Sequence, residues 1–299
     1  HGGVGGEGVQ VCAGAVAASP GKARQLNMAA VPVLTYHAAR IDGNDYSSND
    51  HVAFCEDLRI ITALNFRIIS LRHIADRIIA GEPLPERSVA ISFDDGTDFD
   101  FADLPHPSHG PQRSIFNILQ DFIRVFGKGR QPDINVTSFV IASPVAREEI
   151  DRLSLINLGW MSDTWWETAS QSGLMDIGNH SWDHNHPQIS GEMPPDERGN
   201  FRTIDSRKRA DHQFRRAHEY IRKMTAGADG DLFAYPYGEY SDFLVREYLP
   251  LGEAVTGTRA AFTTQAMHAT SQSCRWRIPR YTFGVDWHTP EELIRILSQ

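Results

Sequence analysis

The stretch Val89-Ala90-Ile91-Ser92-Phe93-Asp94-Asp95-Gly96 sets a short apolar run directly before two adjacent carboxylates and a glycine. The run is typical of a buried strand without a wet face. Neighbouring side chains on a strand point to opposite faces, so the glycine matters because it lets the backbone turn and aim both carboxylates into one space. Two like charges so close raise each other's pKa, and a bound cation would relieve that conflict. A plain Asp-Gly turn after a strand is the alternative interpretation.

Short β-branched runs alternate with segments of helical periodicity from Val31 onward, which is the signature of an α/β fold. The segment Thr289-Pro290-Glu291-Glu292 has the hydroxyl cap, first-turn proline and acidic third residue that begin a helix. The pattern predicts a parallel β/α barrel or an open doubly wound sheet, and sites in both gather at the carboxyl ends of strands. The predicted strands are residues 33–36, 67–70, 89–93, 137–141, 175–178, 232–235, 260–263 and 276–280.

The composition of the 299-residue chain is that of an ordinary globular protein, with 41% hydrophobic and 22% charged residues, and it excludes wholesale disorder. The net charge of −9 gives no basic footprint, so we predict no nucleic-acid partner. No run approaches the ~18 apolar residues that a membrane span requires. We expect residues 1–30 to be a flexible leader or an expression remnant, and residues 31–299 to form a single catalytic domain.

A cluster of histidines follows the predicted strand at residues 175–178. The segment His180-Ser181-Trp182-Asp183-His184-Asn185-His186 contains three imidazoles, and two histidines four residues apart can meet one metal ion. Two histidines and one aspartate would leave positions open for water, as in a catalytic site. The alternative is a group of surface or capping histidines.

An aromatic turn ends another predicted strand, in Leu232-Phe233-Ala234-Tyr235-Pro236-Tyr237-Gly238. Proline fixes the backbone there and glycine permits close approach, so peptide N–H groups of the turn can point at developing negative charge. A structural β-turn is the alternative interpretation.

These three motifs, in this order and each after a strand, resemble those of the polysaccharide deacetylase family, which is carbohydrate esterase family 4 with its NodB homology domain. The segment Leu34-Thr35-Tyr36-His37 is similar to the start of the family branch with an N-terminal Tyr-His motif. The resemblance extends from about residue 31 to residue 280. It implies a distorted parallel (β/α) barrel of about seven strands that hydrolyses the N-acetyl group of an aminosugar.

The resemblance also implies a cofactor. Asp95, His180 and His184 match the three family ligands of one divalent metal ion. Zinc suits two imidazoles and a carboxylate best, while cobalt, nickel and iron also bind such mixed sites.

The same resemblance implies catalytic roles for three further residues. Asp94 matches the general base, the backbone N–H of Tyr237 matches an oxyanion donor, and His37 matches the general acid of the Tyr-His branch. Protonating a departing amine does need a positioned group of near-neutral pKa. A satisfied structural histidine near the barrel bottom is the alternative for His37.

This sequence departs from the family pattern at two places. Many members carry an arginine just before the Pro-Tyr-Gly turn to hold the catalytic aspartate, and here Ala234 and Tyr235 stand in that region. We take Arg280 as the candidate replacement, with a surface or rim arginine as the alternative. The late Leu-x-His segment that supplies the acid elsewhere in the family is not evident, which increases the dependence on His37.

The expected partner is a carbohydrate, and no protein partner is predicted. Trp182 is the best candidate to stack on a sugar ring, and Tyr235 and Pro236 of the aromatic turn are predicted to contact the substrate. The leading function is a metal-dependent N-deacetylase of an N-acetylhexosamine glycan. The alternatives are the same site acting on acetyl esters or cyclic amides, and a glycan-binding protein without turnover. The family's polymeric substrates favour a secreted or periplasmic protein.

Overall fold

The structure is a computed structural model that describes residues 29–155 and 157–299. The predicted leader, residues 1–30, lies outside the described residues except for its last two. Strands β1 to β10 are Val33–His37, Arg67–Ile68, Ser88–Asp94, Leu104–His106, Gly110–Gln112, Val136–Val140, Met175–Asn179, Leu232–Ala234, Ala260–Phe262 and Tyr281–Thr282. Helices α1 to α9 are Asp50–Ala63, Leu71–Ala80, Ile115–Phe126, Pro144–Ser154, Trp166–Gln171, Arg207–Ala210, Arg216–Met224, Glu253–Thr256 and Pro290–Leu297.

The main sheet is parallel throughout. Seven strands lie in the order β10-β1-β3-β6-β7-β8-β9, and β2 pairs with the start of β3 beside them. β4 and β5 form a separate antiparallel hairpin. Because the strands of the main sheet run in one direction, the residues that follow β1, β3, β7 and β8 meet at the same edge. None of the helices in the described ranges is both long enough and apolar enough to cross a membrane.

The chain between residues 278 and 283 connects the two edges of the sheet. Ile278 donates a backbone hydrogen bond to Ala261 at 2.9 Å and accepts one from Thr263 at 2.8 Å, beside β9. Phe283 then donates to Thr35 of β1 at 2.9 Å. The sheet is therefore curled, and the predicted distorted parallel (β/α) barrel of about seven strands is confirmed over the open doubly wound sheet.

Strand β3 is buried along its whole length, which explains its uninterrupted apolar sequence. Phe93 packs outward against Phe54 of α1, with ring centroids 5.0 Å apart. On the opposite face, strand alternation aligns Ala90, Ser92 and Asp94. Ala90 belongs to an apolar cluster, whereas Ser92 and Asp94 are buried polar residues, so this face becomes polar toward the carboxyl end of the strand.

One predicted strand differs from the structure. Residues 276–280 are not a strand. Trp276 lies in a turn, and Ile278 forms a single bridge with Phe262 of β9. The chain then crosses to β1, with which it pairs only from Tyr281 onward. The strand of this region is β10, Tyr281–Thr282.

The predicted final helix is present as α9, and its cap offers a test of local stability. The hydroxyl of Thr289 accepts a hydrogen bond from the backbone N–H of Glu292 at 3.3 Å. We expect Thr289→Ala to lower the free energy of unfolding by about 1 kcal/mol, because the N–H of Glu292 loses its side-chain acceptor and keeps only the backbone carbonyl of residue 289. Urea titration measures the loss, and Thr289→Ser is the control that keeps the hydroxyl. Equal stabilities of the alanine and serine variants would contradict this role.

Candidate metal centre and active site

Three predicted ligands meet at the carboxyl edge of the barrel. Asp95 follows β3, while His180 and His184 lie in the loop after β7. The Asp95 Oδ1 atom is 3.6 Å from His180 Nε2 and 3.7 Å from His184 Nε2. The three ligand atoms lie within 4.8 Å of one another. The structure thus brings together all three residues that the sequence proposes as metal ligands.

The hydrogen bond of His180 fits a metal ligand. Its Nδ1 lies 2.9 Å from the carbonyl oxygen of Ala234. A carbonyl only accepts, so Nδ1 carries the proton and Nε2 presents its lone pair toward Asp95. Metal-binding histidines are typically held by a partner on the second nitrogen in this way.

His184 is likewise suited to bind in its neutral form. Its Nδ1 lies 3.0 Å from the hydroxyl of Tyr237. Burial, and after it the nearby His180, lowers the pKa of His184 well below the usual value. A neutral imidazole retains the lone pair that a cation needs, so the donor set of one carboxylate and two imidazoles fits a divalent metal ion.

The site is built on backbone conformations that side chains rarely adopt. Asp95, Ser181 and His184 have φ of 77°, 73° and 62°. At position 96, with φ of 66°, only glycine fits. A Cβ there would lie 2.5 Å from Val140 Cγ1 and 2.7 Å from the Cα of Val140. The glycine therefore lets the turn pack against β6. Residues in this region of φ cost free energy and cluster at functional sites.

Asp94 is held by Arg280 inside the barrel. The two guanidinium nitrogens of Arg280 donate to the two carboxylate oxygens of Asp94 at 2.7 and 2.8 Å. Arg280 is fully buried and Asp94 is 4% exposed. The guanidinium also donates to the hydroxyls of Thr35 and Ser92, each at 3.1 Å. The contact proposed for Arg280 from sequence is present, and its alternative as a surface or rim residue is wrong.

This pair keeps the carboxyl of Asp94 ionised. Burial by itself would raise the pKa of Asp94, but the charge of Arg280 and its hydrogen bonds outweigh burial and hold the pKa below its usual value. Asp94 is therefore an anion at neutral pH, the form that can accept a proton.

His37 lies at the same edge of the barrel as Asp94. It ends β1 and is the register partner of Asp94 in the parallel pairing of β1 with β3. Its backbone N–H donates to Asp50 Oδ2 at 2.7 Å, and Asp50 also accepts from Arg40 at 2.9 Å. Because His37 stands at the carboxyl end of the strand, a position near the barrel bottom is excluded.

The aromatic turn divides into an exposed and a buried tyrosine. Tyr237, with φ of 59°, is 41% exposed and contacts His184. Tyr235 is fully buried and donates its hydroxyl to the carbonyl of Trp276 at 3.0 Å. Pro236 is buried as well. The prediction that Tyr235 contacts substrate is therefore wrong, because its side chain is enclosed by protein, and the enclosure of Pro236 speaks against the same role.

Trp182 packs toward helix α7 in this structure. The Arg216 guanidinium carbon lies 3.9 Å from the centre of a Trp182 ring, and the Tyr220 ring lies 5.9 Å away. The indole is half-buried, so stacking on a sugar stays a prediction. Its contacts in the structure are those of a residue that fixes the histidine loop to the helix.

Sequence reasoning missed the polar residues that support the site. Thr35 and Ser92 interrupt apolar strands two residues before His37 and Asp94, and this spacing puts each pair on one face of its strand. That alternation was the available signal. Asp50 gave no comparable signal, because it lies in the first turn of α1 and meets His37 only in the folded chain. Burial raises the pKa of Asp50 to about 6, although the bonds from His37 and Arg40 oppose this.

The family profile named polysaccharide deacetylase matches residues 81–253, more than half of the chain. The chain therefore belongs to the polysaccharide deacetylase family, as its motifs predicted. The branch with the N-terminal Tyr-His motif is not tested by this match, because Tyr36 and His37 lie outside the matched residues. No curated protein matches this chain in sequence.

Three solved structures illustrate the shared fold. A de-N-acetylase from Aggregatibacter actinomycetemcomitans has 15% identity and a TM-score of 0.61, with 89% of this chain and 99% of that chain covered. The Streptococcus pyogenes deacetylase PplD in complex with acetate has 16% identity, a TM-score of 0.58 and coverages of 90% and 98%. IcaB from Ammonifex degensii has 18% identity, a TM-score of 0.57 and coverages of 90% and 96%. At these identities the likeness shows the fold.

The buried pair of Arg280 and Asp94 predicts a large coupling in stability. We expect Arg280→Gln to lower the free energy of unfolding by about 3–5 kcal/mol, because it leaves a buried carboxylate without its counter-charge. Asp94→Asn should lower the free energy of unfolding less in the Arg280→Gln background than in the unsubstituted chain, because it removes the uncompensated charge. Urea titration of both single variants and the double variant, with a chelator present, measures the coupling.

Arg77→Gln is a matched control for this set of single and double variants. Arg77 pairs with Glu82 at 2.8 Å, but both side chains are solvent-exposed. Its loss should cost below about 1 kcal/mol. Additive effects of the Arg280 and Asp94 substitutions would contradict a coupled buried pair.

Proposed function

We propose that this chain is a metal-dependent N-deacetylase that removes acetyl groups from a glycan containing N-acetylhexosamine. The observation that carries the proposal is the placement of an ionised, Arg280-held Asp94 next to Asp95, His180 and His184. Membership in the polysaccharide deacetylase family supports the reaction class. One structural neighbour is a de-N-acetylase, which agrees with an amide substrate. We propose residues 31–299 as a single catalytic domain.

The cofactor would be one divalent cation, with zinc the first choice and cobalt, nickel or iron as alternatives. Asp95, His180 and His184 would hold it. When bound, such an ion polarises the substrate carbonyl and makes a nearby water more acidic.

The residues of the chain would then transfer the protons and stabilise the oxyanion. Asp94 takes a proton from the attacking water as its oxygen bonds to the acetyl carbon. The backbone N–H of Tyr237 donates to the developing oxyanion. His37 gives a proton to the nitrogen as the C–N bond breaks, which releases acetate and a free amine. Arg280 keeps Asp94 ionised and oriented throughout.

The same groups can act on acetyl esters or cyclic amides, since nothing in them distinguishes these carbonyls. A glycan-binding protein without turnover was suggested by the missing arginine near Ala234. Arg280 supplies a guanidinium to Asp94 from the segment that precedes β10, and this contact favours an enzyme.

Acetate release tests the proposal. The full chain is assayed on N-acetylglucosamine oligomers and acetylated xylan, and ring opening is followed on a cyclic imide. We expect acetate from the oligomers, loss of activity after chelation and recovery on adding Zn²⁺. Asp94→Asn should lower the rate ~10²–10⁴-fold, because a general base is removed. Activity that survives full chelation would exclude the metal mechanism, and turnover of only xylan or the imide would reassign the substrate.

The role of His37 predicts a dependence on the leaving group. We expect His37→Gln to slow deacetylation of N-acetylglucosamine oligomers ~10²–10⁴-fold, because an amine must be protonated to depart. Hydrolysis of 4-nitrophenyl acetate should fall far less, since nitrophenolate leaves without a proton. Steady-state rates on both substrates measure the difference. His109→Gln, on the hairpin of β4 and β5, is the control histidine. Equal losses on both substrates would assign His37 a structural role.

A further inference from the structure

The two imidazoles of the candidate metal centre are oriented by different kinds of partner. His180 donates from Nδ1 to a backbone carbonyl, that of Ala234. His184 places its Nδ1 against a side-chain hydroxyl, that of Tyr237. A carbonyl only accepts, so it sets the tautomer of His180 by itself, whereas a hydroxyl can donate or accept. The partner of His184 Nδ1 is therefore a single side-chain oxygen atom, which a substitution can remove.

A tight turn places that hydroxyl next to His184. Tyr237 sits in the turn Pro236–Gly238 with a left-handed backbone, φ 59° and ψ 8°. The next residue, Gly238, has φ of 67°, and a Cβ there would lie 1.9 Å from Thr264 Oγ1. The ring of Tyr237 meets the ring of His184 edge to face, with centroids 4.6 Å apart. The turn thus packs closely against Thr264, and the phenol of Tyr237 contacts the imidazole of His184.

We propose that the hydroxyl of Tyr237 is a positioning group for the metal, distinct from the backbone N–H of the same residue. It accepts a hydrogen bond from the N–H at His184 Nδ1, and this tautomer leaves the Nε2 lone pair facing Asp95. The opposite tautomer would put a hydrogen on Nε2, where it would block the ion. This inference rests on the proposed function, because it assumes that Asp95, His180 and His184 bind a divalent cation.

Removing the hydroxyl alone tests the proposal, since Tyr237→Phe keeps the ring and the backbone N–H. We expect the variant to bind Zn²⁺ about 10-fold more weakly, at the lower end of the effects seen for such outer partners. Affinity is measured on the metal-free full chain by competition with a chelating dye. The visible absorption of the Co²⁺-loaded protein is a second readout, expected to change in the variant because ligand orientation alters the metal's electronic environment.

Tyr240→Phe is the matched control. Tyr240 lies three residues further along and packs its ring on Tyr235, with centroids 5.4 Å apart. Its variant should bind Zn²⁺ like the unsubstituted chain. The unfolding midpoints of the metal-free proteins verify that each variant is folded.

The outcomes separate this inference from the proposed function. Failure of the unsubstituted chain to bind Zn²⁺ or Co²⁺ would remove the metal proposal itself. Normal binding by the unsubstituted chain, with Tyr237→Phe within about twofold of it and an unchanged Co²⁺ spectrum, would overturn the inference alone. A similar loss in Tyr237→Phe and Tyr240→Phe would also overturn it, because any hydroxyl of this loop would then matter equally. Weaker binding confined to Tyr237→Phe supports it.

Discussion

Arg280 and Asp94 form an ion pair inside the barrel, and most of the site depends on it. A carboxylate so deeply buried is stable as an anion only with a nearby counter-charge and satisfied hydrogen bonds. Arg280 supplies both, and it comes from the segment that joins β9 to β1. The contact that ionises the proposed base is therefore made by the same stretch of chain that closes the barrel. Thr35 and Ser92 give the buried guanidinium two further acceptors.

The rest of the centre combines rigid strands with strained turns. Asp95 and His180 follow directly after the parallel strands β3 and β7, so the sheet fixes where they start, and His184 lies four residues beyond His180 in the same loop. The last step, from the strand to the ligand atom, is made through left-handed residues such as Asp95 and His184. These conformations are unfavourable by themselves and persist because close packing, such as that of Gly96 on Val140, leaves the backbone no alternative. The strained turn thus directs the side chain of Asp95 toward the two histidines, whereas in a regular strand Asp94 and Asp95 would point to opposite faces.

The position of the arginine shows how one physical requirement can be met from another part of the chain. The family pattern leads one to expect it just before the aromatic turn, where this sequence has Ala234. Here Ala234 contributes its carbonyl to His180, and Arg280 reaches Asp94 from the last strand region. The buried carboxylate of Asp94, the proposed base, requires a guanidinium beside it, and the position of that arginine in the sequence is secondary. The side chain that the aromatic turn does present is Tyr237, against His184.

The sequence by itself determined the parallel α/β architecture, seven of the eight predicted strand locations and the three ligand candidates. It could do so because local patterns carry them: apolar runs before turn residues, two histidines four apart, and a capped start at Thr289. Only the tertiary structure decided that Arg280 points inward to Asp94, that Tyr235 is enclosed while Tyr237 is exposed, and that Asp50 supports His37. These contacts join residues distant in the chain, and a side chain's burial depends on what packs over it. The last strand was misplaced for the same reason, because pairing across the closing edges of a barrel leaves no local pattern.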